Sequence, residues 1–305
     1  MSKAYKGRIT NNVVELTLQD EDIFGTQTIA WSSTTNGEID QVQGDIPANW
    51  KNEFVSQIQI GSSCVNIGSY AFAYNSNISG DLVIPDSVTS IGSHAFYYCS
   101  GFTGDLVIPN SVTSIGDLTF YGCTGFTGTL TIPDSVTSIA FGAFSRCSGF
   151  TGSLTIPDSV TSIENAAFYD CSGFTGDLVI PDSVEIIGAV AFRTCSGFTS
   201  LTIGNSVTSI GVFAFRLCTG LTGDLVIPDS VAIIEDYAFF ECSSITALYT
   251  NTPASGWTGG NALQNTTALV NIYTGPNATG YDSAWKTAQN TSATVQPWTN
   301  YPNIP

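Results

Sequence analysis

Eight cysteines, one histidine and regularly spaced aspartates are the residues of this 305-residue chain that could do chemistry. Cys99, Cys123, Cys147, Cys171, Cys195, Cys218 and Cys242 recur every 24 residues, with one interval of 23 between Cys195 and Cys218. Asn75 holds the same place one interval earlier, and Cys64 falls out of step, in the column of Val88. Regular thiols have three uses: metal ligation, disulfides, or buried packing. A metal needs ligands converging on one point, with CxxC-like pairs in sequence, and there are none. If the copies stack in parallel, equivalent residues lie ~4.8 Å apart and point the same way. A disulfide wants Cβ atoms ~3.8 Å apart and tilted toward each other. The expectation is a ladder of reduced, buried thiols, each a weak donor to a backbone carbonyl. The amide of Asn75 can fill the same hydrogen-bonding role.

Two acidic columns run beside the cysteines. Asp86, Asp134, Asp158, Asp182 and Asp229 form one, with Asn110 and Asn205 in its gaps; Asp81, Asp105, Asp177 and Asp224 form the other, which also accepts Thr129 and Ser153. Paired acids could serve a glycosidase or hold Ca²⁺ between copies. Asp after Pro is a turn former by itself, however, and turn capping is the expected role. His94 shares its column with Leu118, Gly142, Ala166, Val190, Phe213 and Tyr237, so a Ser-His-Asp or Cys-His arrangement has little to stand on. Gly-rich phosphate loops of the P-loop type are absent. No catalytic, cofactor-binding or metal-ligating residue is assigned, and an enzyme is not expected.

The residues that vary between copies carry more information than those that repeat. The pairs that follow the Ala-Phe position read Tyr97-Tyr98, Tyr121-Gly122, Ser145-Arg146, Tyr169-Asp170, Arg193-Thr194, Arg216-Leu217 and Phe240-Glu241. Tyr and Arg are over-represented as interface anchors. Tyr97, Tyr121, Arg146, Tyr169, Arg193 and Arg216 are therefore the candidate recognition stripe, roughly 25 Å long at the parallel-stacking interval. Drift on a solvated face is the competing explanation. The Thr-Ser column (Thr89-Ser90, Thr113-Ser114, Thr137-Ser138, Thr161-Ser162) is too uniform to specify much.

These columns exist because one sentence is repeated: "IPDSVTSIGSHAFYYCSGFTGDLV", Ile84 to Val107, then "IPNSVTSIGDLTFYGCTGFTGTLT" and further copies. Leu82 and Ile84 alternate around Val83 as in a short strand. Pro85 ends that strand and Asp86-Ser87 supply a turn. Val88 and Ile91 mark a second extended segment. Ala95, Phe96 and Cys99 have the spacing of one inward-facing helical turn, and Phe102 closes the coil. The short coil lacks a residue where the others carry the Gly of Thr103-Gly104-Asp105, as a dispensable bulge would. A lone coil buries too few side chains to offset the entropy of ordering it, so stability must arise between stacked neighbours.

The resulting expectation is a repeat solenoid, a right-handed leucine-rich-repeat coil, mostly β with short helical turns and capped at both ends. Residues 1–56 are assigned to an N-terminal β cap or docking region, 57–247 to eight coils of 23–24 residues, and 248–305 to a C-terminal cap and extended tail. All five tryptophans, Trp31, Trp50, Trp257, Trp285 and Trp298, fall outside the coils, where caps must cover apolar ends.

At these residues the chain resembles the BspA-like class of leucine-rich repeats, whose motif is roughly IPxSVTxIGxxAFxxCxxLTxL. The similarity covers about residues 57–247, with Phe102 and its equivalents standing where the family usually has Leu. "NIYTGPNATGYDSAWKTAQ", Asn271 to Gln289, resembles the strand-then-helix ending of such arrays. Residues 1–56 match no recognised pattern. The resemblance implies a surface-exposed protein of adhesion or host-cell contact.

Composition narrows the partners. Eight Lys and Arg against 25 Asp and Glu give a net charge of −17, which disfavours nucleic acid and anionic lipid. No apolar run approaches the ~18 residues that span a bilayer. The N-terminus, MSKAYKGRITNNVVELTLQDED, has neither an apolar h-region nor a small-residue cleavage site, so synthesis in a cytoplasm is expected. The function expected is non-enzymatic recognition of a protein or glycan on a cell surface. The virion surface of a virus or phage is the leading location, with residues 1–56 docking to the larger particle. A cytosolic interaction scaffold and a secreted adhesin on the cell surface are the alternatives.

Overall fold

The computed structural model describes residues 5–10, 13–18, 38–39, 57–58, 60, 64–76, 78–289 and 291–297. They fall into two compact units, Met1–Thr137 with Ala143–Thr151 and Ser138–Gly142 with Gly152–Pro305. Both units are built as β-solenoid, and parallel pairing dominates each.

In the first unit Gly80–Val83, Phe102–Val107 and Leu130–Thr131 form one parallel ladder, in which Val83 faces Val107 and Val107 faces Thr131. Glu38–Ile39, Asn66–Ile67, Ser90–Ile91 and Ser114–Ile115 form a second, aligning Ile39, Ile67, Ile91 and Ile115. Tyr5–Thr10 and Val13–Leu18 make an antiparallel hairpin, and Gln57–Ile58 pairs alongside it. The alternation of Val13 to Leu18 is thus a strand; the remainder of the expected N-terminal cap, Trp31 and Trp50 included, lies outside the described residues.

The second unit repeats the pattern. Its short strands Ser138–Ile139, Ser162–Ile163, Ile186–Ile187, Ser209–Ile210 and Ile233–Ile234 stack in one sheet. Gly176–Val179 pairs with Phe198–Thr202. Gly223–Ile227 begins a ladder that continues through Ile245–Thr250, Asn271–Thr274 and Thr294–Pro297. The strand pairing thus continues into residues 248–305, the region assigned to the C-terminal cap and tail. Asn271–Thr274 followed by the helix Ser283–Ala288 gives the strand-then-helix order read from the sequence. Asp282 caps that helix by accepting from the Trp285 amide at 2.8 Å. Trp257 and Trp285 are buried and meet edge to face at 5.8 Å. Trp298 and the end of the tail lie outside the described residues.

Within a coil, sequence chemistry sets each bend. The Val88 amide donates to the Pro85 carbonyl at 3.0 Å, closing a turn over Asp86-Ser87. The segment with helical spacing keeps its inward burial, since Ala95, Phe96 and Cys99 are all 0% exposed. Its backbone, however, is three successive reverse turns. Ala95 donates to Gly92, Tyr97 to His94 and Cys99 to Phe96, with φ of 59° at His94 and 55° at Tyr98. A negative-then-positive φ pair is that of a type II turn, which no helix contains. The amides between these turns reach the next coil instead: His94 to Asp117, Phe96 to Thr119 and Tyr98 to Tyr121, at 2.7–2.8 Å. A left-handed residue costs roughly 1–2 kcal/mol, and the ladder of hydrogen bonds between coils offsets it.

The core is a pair of aromatic stacks. In the first unit Phe72, Phe96, Phe120 and Phe144 lie ring on ring at 5.1, 5.2 and 5.6 Å. Phe102, Phe126 and Phe150 form a second stack. In the second unit Phe168, Phe192, Phe215 and Phe239 repeat the first stack at 5.3–5.4 Å. Near-parallel rings at this interval follow from the coil rise, and each pair adds ~0.5–1.5 kcal/mol beyond area burial. At the glycine of the strand entrance the ladders shift register, between Asp81 and Val83, Gly176 and Asp177, and Gly223 and Asp224, as a bulge requires.

Candidate recognition face

The thiols sit behind the turn segment and hold it to its neighbour. Cys99 donates to the Phe72 carbonyl at 2.9 Å, Cys123 to Phe96 at 3.0 Å and Cys147 to Phe120 at 3.0 Å. In the second unit Cys195, Cys218 and Cys242 make the same bond at 3.0–3.1 Å. The Asn75 side chain donates to the Phe72 carbonyl at 3.0 Å within its own coil, so it shares the acceptor of Cys99 and does not make the thiol's bond between coils. All eight cysteines are free and buried. Cys64, out of column, points instead at the Asn66 carbonyl at 3.5 Å.

Burial makes these thiols inert. It pushes Cys64 up to about 11 and Cys195 and Cys242 up to about 12, and raises Cys99, Cys123 and Cys218 as well. Two results are expected. Iodoacetamide at pH 8 labels few cysteines natively and all eight in denaturant; mass-spectrometric detection of disulfides between coils would contradict the ladder. Stability should also fall in alkali. The unfolded thiol ionises near 9.0 and the folded Cys195 and Cys242 near 12, so the stabilising difference is whole below pH 9 and is lost between pH 9 and 12. Urea midpoints across that range measure it, and a flat profile would count against burial of the ladder.

The acidic columns are exposed and bridge coils through hydrogen bonds. Asp105 accepts from the Thr129 amide at 2.6 Å and its hydroxyl at 2.9 Å, which lowers its carboxyl below the usual value. Asp177 accepts from Ser200 at 2.6 Å and Asp182 from the Asn205 amide at 2.7 Å. Among the described residues no three His, Cys, Asp or Glu side chains converge on a metal-sized point.

The variable columns make the outer face of the same turn segment. In the first unit Tyr97 and Tyr121 stack at 5.0 Å, and the Arg146 guanidinium lies 5.6 Å from the Tyr121 ring centre. The three residues expected in this half of the stripe are thus brought together. Four more join them: Tyr74 meets Tyr97 edge to face at 5.3 Å, Tyr98 meets Tyr97 at 4.7 Å, and His94 stacks on Tyr70 at 4.4 Å. Tyr74 is 57% exposed and Tyr70 39%. Burial, then neighbouring phenols, hold the Tyr97 hydroxyl above the usual phenol value, so it is a neutral donor at pH 7. Burial lowers the His94 pKa against the opposing pull of Asp117. Its ring contacts are Tyr70 and Tyr97.

The sequence underplayed these additional residues because it ranked one column and not its neighbours. The signal was the spacing itself: positions 94, 97 and 98, and their equivalents, lie on one turn segment. Within the stripe, Arg146 stands in the column of Tyr98 and not that of Tyr97, as the pair Ser145-Arg146 shows. Ser145 takes the Tyr97-equivalent place and is 1% exposed, while Arg146 occupies the left-handed place of Tyr98 with φ 60°.

In the second unit the equivalent positions alternate rings and guanidinium groups. Arg193 lies 5.5 Å from the Tyr169 ring centre and 5.8 Å from that of Phe213. Arg216 lies 5.2 Å from Phe213 and 4.9 Å from Phe240. Tyr237 stacks on Phe213 at 4.9 Å.

Comparison with known proteins gives a family and a fold. The family profile described as the BspA type leucine rich repeat region (6 copies) matches residues 48–175 and 174–285. No curated protein matches the chain. Solved structures similar to it include a leucine rich cell surface protein from Faecalibacterium prausnitzii A2-165, 20% identical over 96% of this chain and 98% of that one, with a TM-score of 0.41. A leucine-rich repeat protein from Bacteroides ovatus ATCC 8483 is 19% identical over 97% and 98%, with a TM-score of 0.37. The pneumococcal vaccine antigen PcpA is 17% identical over 74% of this chain and 58% of its own, with a TM-score of 0.49.

Proposed function

Because the chain belongs to the BspA-type leucine-rich repeat family, we propose that it is a non-enzymatic recognition protein whose variable turn face binds a protein or glycan on a cell surface. The observation that carries this reading is the half-exposed cluster of Tyr74, Tyr97, Tyr98 and Tyr121 with Arg146 over its edge. Rings of this kind present large contact area at low entropic cost, and they stand in columns whose residues change along the array.

One further feature supports the assembly we attach to it, carriage on a virus or phage particle through residues 1–56. Eight cysteines kept as thiols suit folding in a reducing compartment, where such particles are built. No described helix is long and apolar enough to cross a membrane. Capsid and tail genes beside this one would support carriage, and their absence would favour a cytosolic scaffold.

The experiment for recognition uses paired alanine variants. Y97A/Y121A is expected to weaken binding to candidate host cells at least tenfold with the fold intact by circular dichroism. T89A/T113A, on the uniform column, is expected to bind as the parent does. Equal losses from both pairs, or none from the tyrosines, would place recognition elsewhere in the chain.

A further inference from the structure

Arg193 and Arg216 are the cationic members of this face in the second unit, and both lack a partner for part of the guanidinium group. Both Nε atoms are buried without an acceptor, and among the described residues no carboxylate pairs with either side chain. Acids outnumber bases 25 to 8 in this chain, so a free carboxylate within reach would be easy to supply. The two residues occupy equivalent places on adjacent coils, where the stacking interval is ~4.8 Å. Two like charges at that interval repel, and the arrangement becomes favourable when one anion faces both.

The rings fix the geometry of the pair. Phe213 lies beside both guanidinium groups, with Tyr169 beyond Arg193 and Phe240 beyond Arg216. Stacked planar groups are held in orientation before any ligand arrives, which lowers the entropy lost on binding. With the Nε edge buried, the terminal nitrogens are the donors left to offer, a forked pair suited to a carboxylate.

We propose that Arg193 and Arg216 form the anion subsite of the recognition face and take the carboxylate of an acidic sugar at the end of a glycan. The proposal rests on the reading of this face as a recognition surface and names the ligand chemistry of the second unit. A peptide fits less well. The amides around the pair are already used, Thr194 on the Arg216 carbonyl at 2.7 Å and Leu217 on the Phe240 carbonyl at 2.9 Å, so an extended chain finds no main-chain partner. Flat rings flanking a charged fork suit a sugar, whose apolar face stacks while its carboxylate pairs. A net charge of −17 repels a long polyanion, so a terminal sugar with one carboxylate is favoured over an acidic polymer.

The test is a titration of the whole chain with 3′-sialyllactose and with lactose, followed by NMR at low and high salt. Sialyllactose should bind at least tenfold more tightly than lactose, and salt should weaken that preference. R193Q/R216Q should abolish the preference while the melting temperature stays within a few degrees of the parent. R193K/R216K keeps the charge, removes the fork, and is expected to fold and to lose most of the preference. Equal binding of the two sugars, or a preference that survives R193Q/R216Q, would overturn the proposal. So would tighter binding of a tetraglutamate peptide, which would assign the pair to an acidic protein segment. Host-cell binding by Y97A/Y121A, read in parallel, separates the two levels: a loss there without any sialyllactose preference sinks only the arginine subsite, and retention there sinks the recognition reading.

Discussion

Phe120→Ala is expected to destabilise the first unit by about 3–5 kcal/mol, the range for emptying a large core aromatic site. Phe120 is fully buried and stacks on Phe96 at 5.2 Å and on Phe144 at 5.6 Å. Its loss removes two ring contacts as well as buried area. The turns around it leave little room for collapse, because the Phe120 amide donates to Ala143 at 2.8 Å and the Cys147 thiol bonds its carbonyl at 3.0 Å. Urea denaturation measures the effect. A loss below about 1 kcal/mol would mean that the stacked column is not the core.

Gly125→Ala should be comparably damaging although it adds only a methyl group. A Cβ at Gly125 would overlap the carbonyl oxygens of Ser100 and Phe102 in the preceding coil. Both are backbone atoms, so relief requires the coils to separate. Overpacking in a tight site typically costs about 1–3 kcal/mol, and here it also strains the ladder on either side. Gly101 and Gly149 in the same unit face the same carbonyl pair one coil earlier and one later. By contrast, Gly176→Ala meets open space, and only its φ of 80° opposes the change. Comparing the two variants separates close approach from conformational strain. Equal losses would contradict the steric account.

Much of the fold was legible because the repeat converts columns of letters into columns of contacts. Phe96, Cys99 and Phe102 recur in register, and burial of every such column follows from parallel stacking. Backbone sign was not legible. His94, Val190 and Phe213 are ordinary side chains, yet each sits at φ between 53° and 59°. Local preference would not choose that conformation, and hydrogen bonds to the next coil impose it. The Gly101 column was passed over for a related reason: a glycine in a Ser-Gly-Phe run reads as a loop residue until the neighbouring coil is in place. On the recognition face, Tyr97, Tyr121 and Arg146 were visible as variation within a repeat. Tyr70, Tyr74 and Tyr98 needed the turn geometry that gathers three columns onto one surface. Arg146 belongs to the column of Tyr98 and not that of Tyr97, and its spacing of 48 residues from Tyr98 already shows this in the sequence.

Chemical footprinting of tyrosines tests the central claim, that the variable turn face is where this protein recognises its partner. The chain is treated with N-acetylimidazole alone and bound to host-cell surfaces, and acetylation at each tyrosine is read by mass spectrometry. The strand face carries its own control, the half-exposed stack of Tyr249 on Tyr273 at 4.5 Å. The account predicts that binding protects Tyr74, Tyr97 and Tyr121 several-fold and leaves Tyr249 and Tyr273 unchanged. Protection of Tyr249 and Tyr273 with Tyr74, Tyr97 and Tyr121 still reactive in the bound state would contradict it.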